Sequence, residues 1–210
     1  MLTIEKTVLP SPEQWEIIIE GMRNPMNSWD KMDSMTTWEN DYIIGENDHK
    51  LMTNLAKGGA VHAKYRRMIP VFLTINAPLY WWKEFDTYKV GTVCNSCSTM
   101  HKIQAKEFTL ADFSCGHLCR NSMRILEQVV ETLNLERDNF LNSHDKWAWW
   151  QMIQLLPTSY NQKRTVMLNY EVLCNIYHSR KNHKLDEWHV FCDWIRDLPY
   201  SELIIGDADE

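Results

Sequence analysis

Residues 156–188 read LPTSYNQKRTVMLNYEVLCNIYHSRKNHKLDEW, and the way this stretch folds decides the architecture. A polar turn is expected over Thr158–Lys163, then a long helix over 164–180 carrying Asn169, Asn175 and Arg180. At ~100° per residue, positions 169 and 180 return to nearly the same face, roughly 16 Å apart along the axis. Such a face offers an amide at one end and a guanidinium at the other, and a ligand of nucleotide size can lie along it. The same spacing suits a solvated polar stripe, so spacing alone leaves both readings open.

Working outward, DKWAWWQMIQL (145–155) reads as a helix that must stop before Pro157, because the residue preceding a proline is pushed out of the helical region. Leu118 to Leu141 is helical by its apolar repeat at Leu118, Met123, Leu126, Val129, Val130 and Leu133. On the other side, Lys184–Asp197 forms an amphipathic helix with Trp188, Phe191 and Ile195 inward, and the acidic tail 207–210 is expected to fray. Val90–Thr99 (VGTVCNSCST) is a loop leading to a short strand, of a kind that lets backbone N–H groups approach an anion.

Ile69–Ile75 is a β-branched run and reads as a strand, after which Pro78 at position N1 opens a helix over LYWWKEFDTYK (79–89). A helix covers Glu46–Lys57, and Asn24–Trp38 is an irregular loop that buries a cofactor edge or a neighbouring subunit. At the start, a strand over Thr3–Leu9 precedes a helix to about Met22. Ser11 is its N-cap, Pro12 its N1 and Gln14 its N3, with Trp15, Ile18 and Ile19 on its apolar face.

The 210 residues suit a single domain, 1–210, with no internal repeat or linker. Ten Trp, eight Tyr and six Phe predict an aromatic core. A net charge of −6 argues against non-specific binding to nucleic acid or an anionic membrane. With no apolar run of spanning or signal-peptide length, the expected location is the cytoplasm, where the six cysteines stay reduced.

Cys94-x2-Cys97 and Cys115-x3-Cys119, with His101 and His117 nearby, have the donor types of a tetrahedral zinc staple, which would make an interaction protein. Alternatively Cys97, between Ser96 and Ser98, is a nucleophile with His62 or His101 as base. Bystander thiols satisfy the same residues. Dinucleotide and phosphate-loop glycine motifs are absent, as is H-E-x-x-H. His178 and His183 flank Arg180 and Lys181, where cations favour a helix C-terminus.

Leu156-Pro157, then Asn169, Asn175 and Arg180 at their present spacings, resemble the C-terminal half of the flavin-dependent thymidylate synthases (ThyX). His62, the strand 69–76 and Ala77-Pro78 match the same family's earlier anchors, so the resemblance covers about 60–100 and 150–195. It implies an α/β (α+β) fold with helices on a small mixed or antiparallel sheet, assembled as a homotetramer that holds FAD. It also implies reductive methylation of dUMP with methylenetetrahydrofolate and NADPH. By the same carry-over, His62, Lys64, Arg67, Thr87, Tyr88, Lys89, Asn169, Glu171 and Asn175 would meet the flavin cofactor. Glu84, Ser96, Cys97, Ser98, Thr99 and Arg180 would hold the nucleotide, with Arg180, Cys97 and Ser98 nearest the chemistry.

The sequence departs from the family at its signature. The arginine-histidine-arginine triplet falls on Thr87-Tyr88-Lys89, the serine on Cys97, and the arginine two residues later on Thr99. Glu171 reverses a charge, and Glu84 replaces a glutamine. An arginine's bidentate charge has no substitute in Thr or Tyr, so Lys64, Arg66, Arg67, Lys83 and Lys89 are the candidates to compensate. If dUMP methylation is lost, the scaffold would serve a different pyrimidine or a flavin- or nucleotide-binding sensor role.

Overall fold

The computed structural model describes residues 1–206, so the 207–210 tail, expected to fray, lies outside the described residues. In chain order the elements are β1 Thr3–Val8, α1 Pro12–Arg23, β2 Met35–Thr36, β3 Tyr42–Ile43, α2 Glu46–Lys57, β4 Pro70–Pro78 and α3 Leu79–Phe85. There follow β5 Val93–Ser96, α4 Arg120–Ser143, α5 Lys146–Leu155, β6 Asn161–Asn169, α6 Tyr170–Arg180, α7 Asp186–Arg196 and α8 Glu202–Ile205. The larger sheet has the order β1-β4-β6-β5, and β2 and β3 form a small antiparallel ribbon. The architecture is mixed α/β, with helices on a small antiparallel sheet. Leu79 N–H donates to the Tyr160 carbonyl at 3.0 Å and the hydroxyls of Thr74 and Thr165 meet at 3.3 Å, a register that only antiparallel chains keep.

The expected helix over 164–180 is wrong in its first half. Residues 161–169 are a strand, with Gln162, Val166 and Leu168 buried and their neighbours less so, the period-two burial of a pleated ribbon. A helix in their place would bury Arg164 or Lys163 on the Val166 side, whereas Thr165-Val166 suits a strand. The helix begins only after Asn169, whose side-chain oxygen accepts from Val172 N–H at 3.1 Å as an N-cap. The polar turn is correspondingly shorter than Thr158–Lys163. The helix over 79–89 is also shorter than expected, and Pro78 is its N-cap, not N1. It stops at Phe85, where the Thr87 hydroxyl donates to the Glu84 carbonyl at 2.7 Å.

Other expectations hold closely. Ser11 and Gln14 form the capping box of α1, and Trp15, Ile18 and Ile19 are buried. Helix α2 has the expected bounds, and α4, α5 and α7 match within about two residues of theirs. The loop 24–38 has short helical turns and leaves Trp29, Met35 and Trp38 exposed in the chain.

By its contacts the chain divides into two compact units. The first comprises Met1–Glu5, Thr74–Thr87 and Cys94–Thr165. Its core joins the α4–α5 hairpin (Leu126, Val130, Leu133, Met152) to Ile103, Phe108 and Phe113. The second comprises Lys6–Leu73, Tyr88–Val93 and Val166–Glu210. In it α6 packs against α7 and α8. A buried knot ties its long loop down: Arg23 Nε donates to Asp48 at 2.5 Å, and Asp48 also accepts from the Ser34 hydroxyl at 2.6 Å. Burial alone would raise the Asp48 carboxyl, but these bonds outweigh it and hold it below its usual range.

Candidate functional site

The main cavity of the second unit is assembled by two short structural devices. The first is the tight turn Lys64–Met68, a 3₁₀ helix in which positions three apart eclipse. Lys64 and Arg67 therefore share its outer side, while Tyr65 and Arg66 turn inward and are buried. The Tyr65 hydroxyl donates to the Met52 carbonyl at 2.8 Å, and burial pushes the phenol up to about 12. The second device is the junction of β6 and α6, where Asn169 spends its oxygen on the helix cap and keeps its amide N–H₂ group for the cavity.

Together Lys64, Arg67, Gly91, Asn169, Glu171 and Asn175 line a space of about 480 Å³. Its rim is apolar: Val61 is 73% exposed and Val90 92% exposed in the chain. Gly91 has φ +78°, and a Cβ there would come within 3.1 Å of Val172 Cγ2 and 3.2 Å of Asn169 Nδ2. The positive φ suits glycine, and any side chain there would be strained and pressed tightly against Val172 and Asn169.

The charges of the cavity are unevenly neutralised. Glu171 lies 3.6 Å from the nearly buried Arg66, whose Nη1 also donates to Cys174 Sγ at 3.4 Å. Its negative charge is thereby answered from below. Lys64 and Arg67 make no ion pair among the described residues, and the N-terminus of α6 adds its partial positive charge. The arrangement suits an anion of diphosphate type attached to an apolar or aromatic body.

The other expected cofactor and nucleotide residues are placed elsewhere. Arg180, in the last turn of α6, donates from Nε to the Tyr88 hydroxyl at 2.9 Å and sits 4.8 Å above the Trp188 ring. It is held in an aromatic clamp and does not line the cavity of Asn169 and Asn175. His62, in a turn, and Lys89 are exposed, and neither lines it. Glu84 lies in the last turn of α3 and Thr87 just beyond that helix, both in the first unit.

Cys97, Ser98 and Thr99 line a different cavity, of about 300 Å³, in the first unit; Ser96 is exposed on β5 and does not line it. Cys97 N–H donates to the Lys163 carbonyl at 2.9 Å, and Gln162 Nε2 to the Cys97 carbonyl at 2.7 Å, which pins the loop to β6. The Ser98 oxygen accepts from the backbone N–H of Met100 and His101, at 3.2 and 2.9 Å. It closes a turn, and no hydrogen bond joins it to a base among the described residues. No hydrogen bond joins Cys97 to His101 among the described residues, so the geometry of a cysteine nucleophile with that base is not formed.

Two lysines that the sequence reading passed over complete this cavity. Lys163 pairs with Glu5 at 2.7 Å, and Lys106 pairs with Asp112. Burial would raise the Asp112 carboxyl, but its bonds from Lys106 and Thr109 hold it below its usual range. Lys163 was obscured because its strand was read as turn and helix. Gly91 carried a legible signal as a glycine in a polar loop.

The zinc alternative fails on geometry. Among the described residues no group of three or more His, Cys, Asp and Glu side chains could hold a metal. Cys119 is the N-cap of α4 with its sulfur 3.4 Å from the Ser122 hydroxyl, and Cys94 lies 3.9 Å from Arg164. No helix among the described residues is long and apolar enough to cross a membrane.

No protein-family model matches the sequence, and no curated protein matches it. Solved structures do match. The flavin-dependent thymidylate synthase ThyX of Helicobacter pylori, solved with FAD and dUMP, superposes with a TM-score of 0.66 at 15% identity, over 97% of this chain and 96% of that one. The UMP/dUMP methylase PolB of Streptomyces cacaoi, bound with 5-Br dUMP, superposes with a TM-score of 0.62 at 13% identity, over 96% of this chain and 92% of that one. The chain therefore shares the ThyX-like fold.

Proposed function

We propose that this protein is a divergent flavin-dependent enzyme acting on a pyrimidine nucleotide, in the manner of a thymidylate synthase that converts dUMP to dTMP. The observation that carries the reading is the 480 Å³ cavity, where two unneutralised cations, two amides and a glycine-lined wall meet beneath an apolar rim. FAD fits that donor set: Lys64 and Arg67 would hold its diphosphate, the Asn169 and Asn175 amides its polar edges, and Val61 and Val90 its apolar surface. Bound FAD would supply the reducing equivalents, with NADPH as their source and methylenetetrahydrofolate as the one-carbon donor.

The remaining residues have separate tasks. The 97–99 loop and the lysines Lys106 and Lys163 would receive the nucleotide phosphate through N–H groups and ammonium charge. Within the second unit, Arg180, oriented by Tyr88 and Trp188, would offer a fixed positive charge to a ligand that develops negative charge. Exposed Trp29, Met35, Trp38 and Val90 in the single chain support assembly into a homotetramer.

The visible spectrum of the purified protein, with and without added FAD and then dUMP, tests the flavin site directly. A yellow protein whose flavin band shifts on adding dUMP is expected; a colourless protein that takes up no FAD overturns the reading. A second reading is motivated by Thr87-Tyr88-Lys89 in place of three basic residues: the same scaffold serving another pyrimidine, or binding without turnover. Tritium release from C5-labelled dUMP separates them, since only the first reading requires it.

A further inference from the structure

The first unit has a second cavity, about 330 Å³ in volume, where the end of α4 turns into α5 beside Met100 and His101. Phe140 and Trp149 line it, and both are also packed against the core of that unit. Trp149 Nε1 donates to the Met100 carbonyl at 3.0 Å, which holds the indole in place. His144 is the C-cap of α4 at φ +55°, and its imidazole stands edge-on to Phe140 with 6.1 Å between ring centres.

Three nitrogen-bearing side chains border this aromatic surface: His101, His144 and Lys146. All three are exposed, and none makes a side-chain hydrogen bond or ion pair among the described residues. No carboxylate lines the cavity, and neighbouring Asp145 spends its own on the Trp147 N–H at 2.9 Å as the N-cap of α5. The C-terminus of α4 accounts for cations at this point, but not for cations around an aromatic hollow. The volume lies near the lower end of the roughly 300–1,000 Å³ of small-molecule sites, which suits a ligand of one or two rings. We propose that this cavity binds a small aromatic carboxylate. Its rings lie against Trp149 and Phe140, and its carboxylate accepts from the Lys146 ammonium and the imidazole N–H groups. The cavity shares no lining residue with the flavin cavity or with that of Cys97–Thr99, so its test is independent of both.

The test is calorimetric titration of 2-naphthoate into the full chain, without flavin and again with FAD in excess. Binding of one molecule per chain is expected in both. 2-Naphthamide keeps the rings without the charge, and cyclohexanecarboxylate keeps the charge without an aromatic ring; each should bind at least about tenfold more weakly. Lys146→Glu, at an exposed position, should weaken 2-naphthoate binding at least about tenfold, whereas Lys50→Glu in the other unit should change it by less than about twofold. His144→Gly removes an imidazole where glycine tolerates the positive φ, so the urea midpoint should not fall while affinity drops about threefold. Failure of 2-naphthoate to bind, equal binding of the amide, displacement by FAD, or an affinity untouched by Lys146→Glu overturns the proposal.

Discussion

In the second unit's cavity, Lys64 and Arg67 face the ligand space with no carboxylate partner among the described residues. In the first unit's cavity, Lys106 and Lys163 are each held by a carboxylate, Asp112 and Glu5. An anion entering the former meets charge that is already available. One entering the latter must draw a lysine away from its partner. The difference teaches that counting basic residues along a sequence says little about anion affinity until their partners are known. It also accounts for Glu171: a charge reversal that looks fatal in the sequence is answered by Arg66 from beneath, and Lys64 and Arg67 keep no ion pair among the described residues.

The strongest way to break this comparison is to reverse the free charges. Lys64→Glu with Arg67→Glu should weaken FAD binding by about a hundredfold, ~2.7 kcal/mol, in a fluorescence titration. Lys106→Glu should change it by no more than about twofold, within the ~0.5 kcal/mol typical of a surface substitution. Equal losses in the two proteins would erase the distinction between the cavities. Next in size, Asn169→Ala removes the N-cap of α6 and should cost about 1 kcal/mol in urea unfolding. Asn175→Ala, at an exposed position of the same helix, should leave the urea midpoint unchanged and affect FAD binding only.

Smaller effects sharpen the paired side. The Glu5–Lys163 pair is half-exposed, so Glu5→Gln should raise dUMP affinity only about threefold by releasing the lysine. The weakest is a pH effect. The Asp112 carboxyl lies below its unfolded value, so its contribution is complete above the ordinary 3.8 and is lost as pH falls through the lower folded value. Chemical-denaturation midpoints should therefore fall on acidification, and Asp112→Asn should flatten part of that fall. A variant whose acid profile matches the parent would remove Asp112 from the account.

Residue patterns alone were enough for α1, α2, α4, α5 and α7, because local rules specify them: a capping box at Ser11 and Gln14, apolar repeats, and a proline after α5. The family anchors were legible too, and the fold they implied is the one the solved structures share. The 161–169 strand was not legible in the same way. Its alternation is only partly apolar, with Gln162 buried among Val166 and Leu168, and the helix that Asn169 caps and that carries Arg180 starts only after Asn169, so residues 164–168 do not belong to it. Tertiary structure alone decided which cations are free and which are paired. It also separated Arg180 from the Asn169 cavity and placed Cys97 and Ser98 in the other unit. The physical reason is range: caps and periodicity act within a few residues, while ion pairs and cavity walls join residues brought together only by folding.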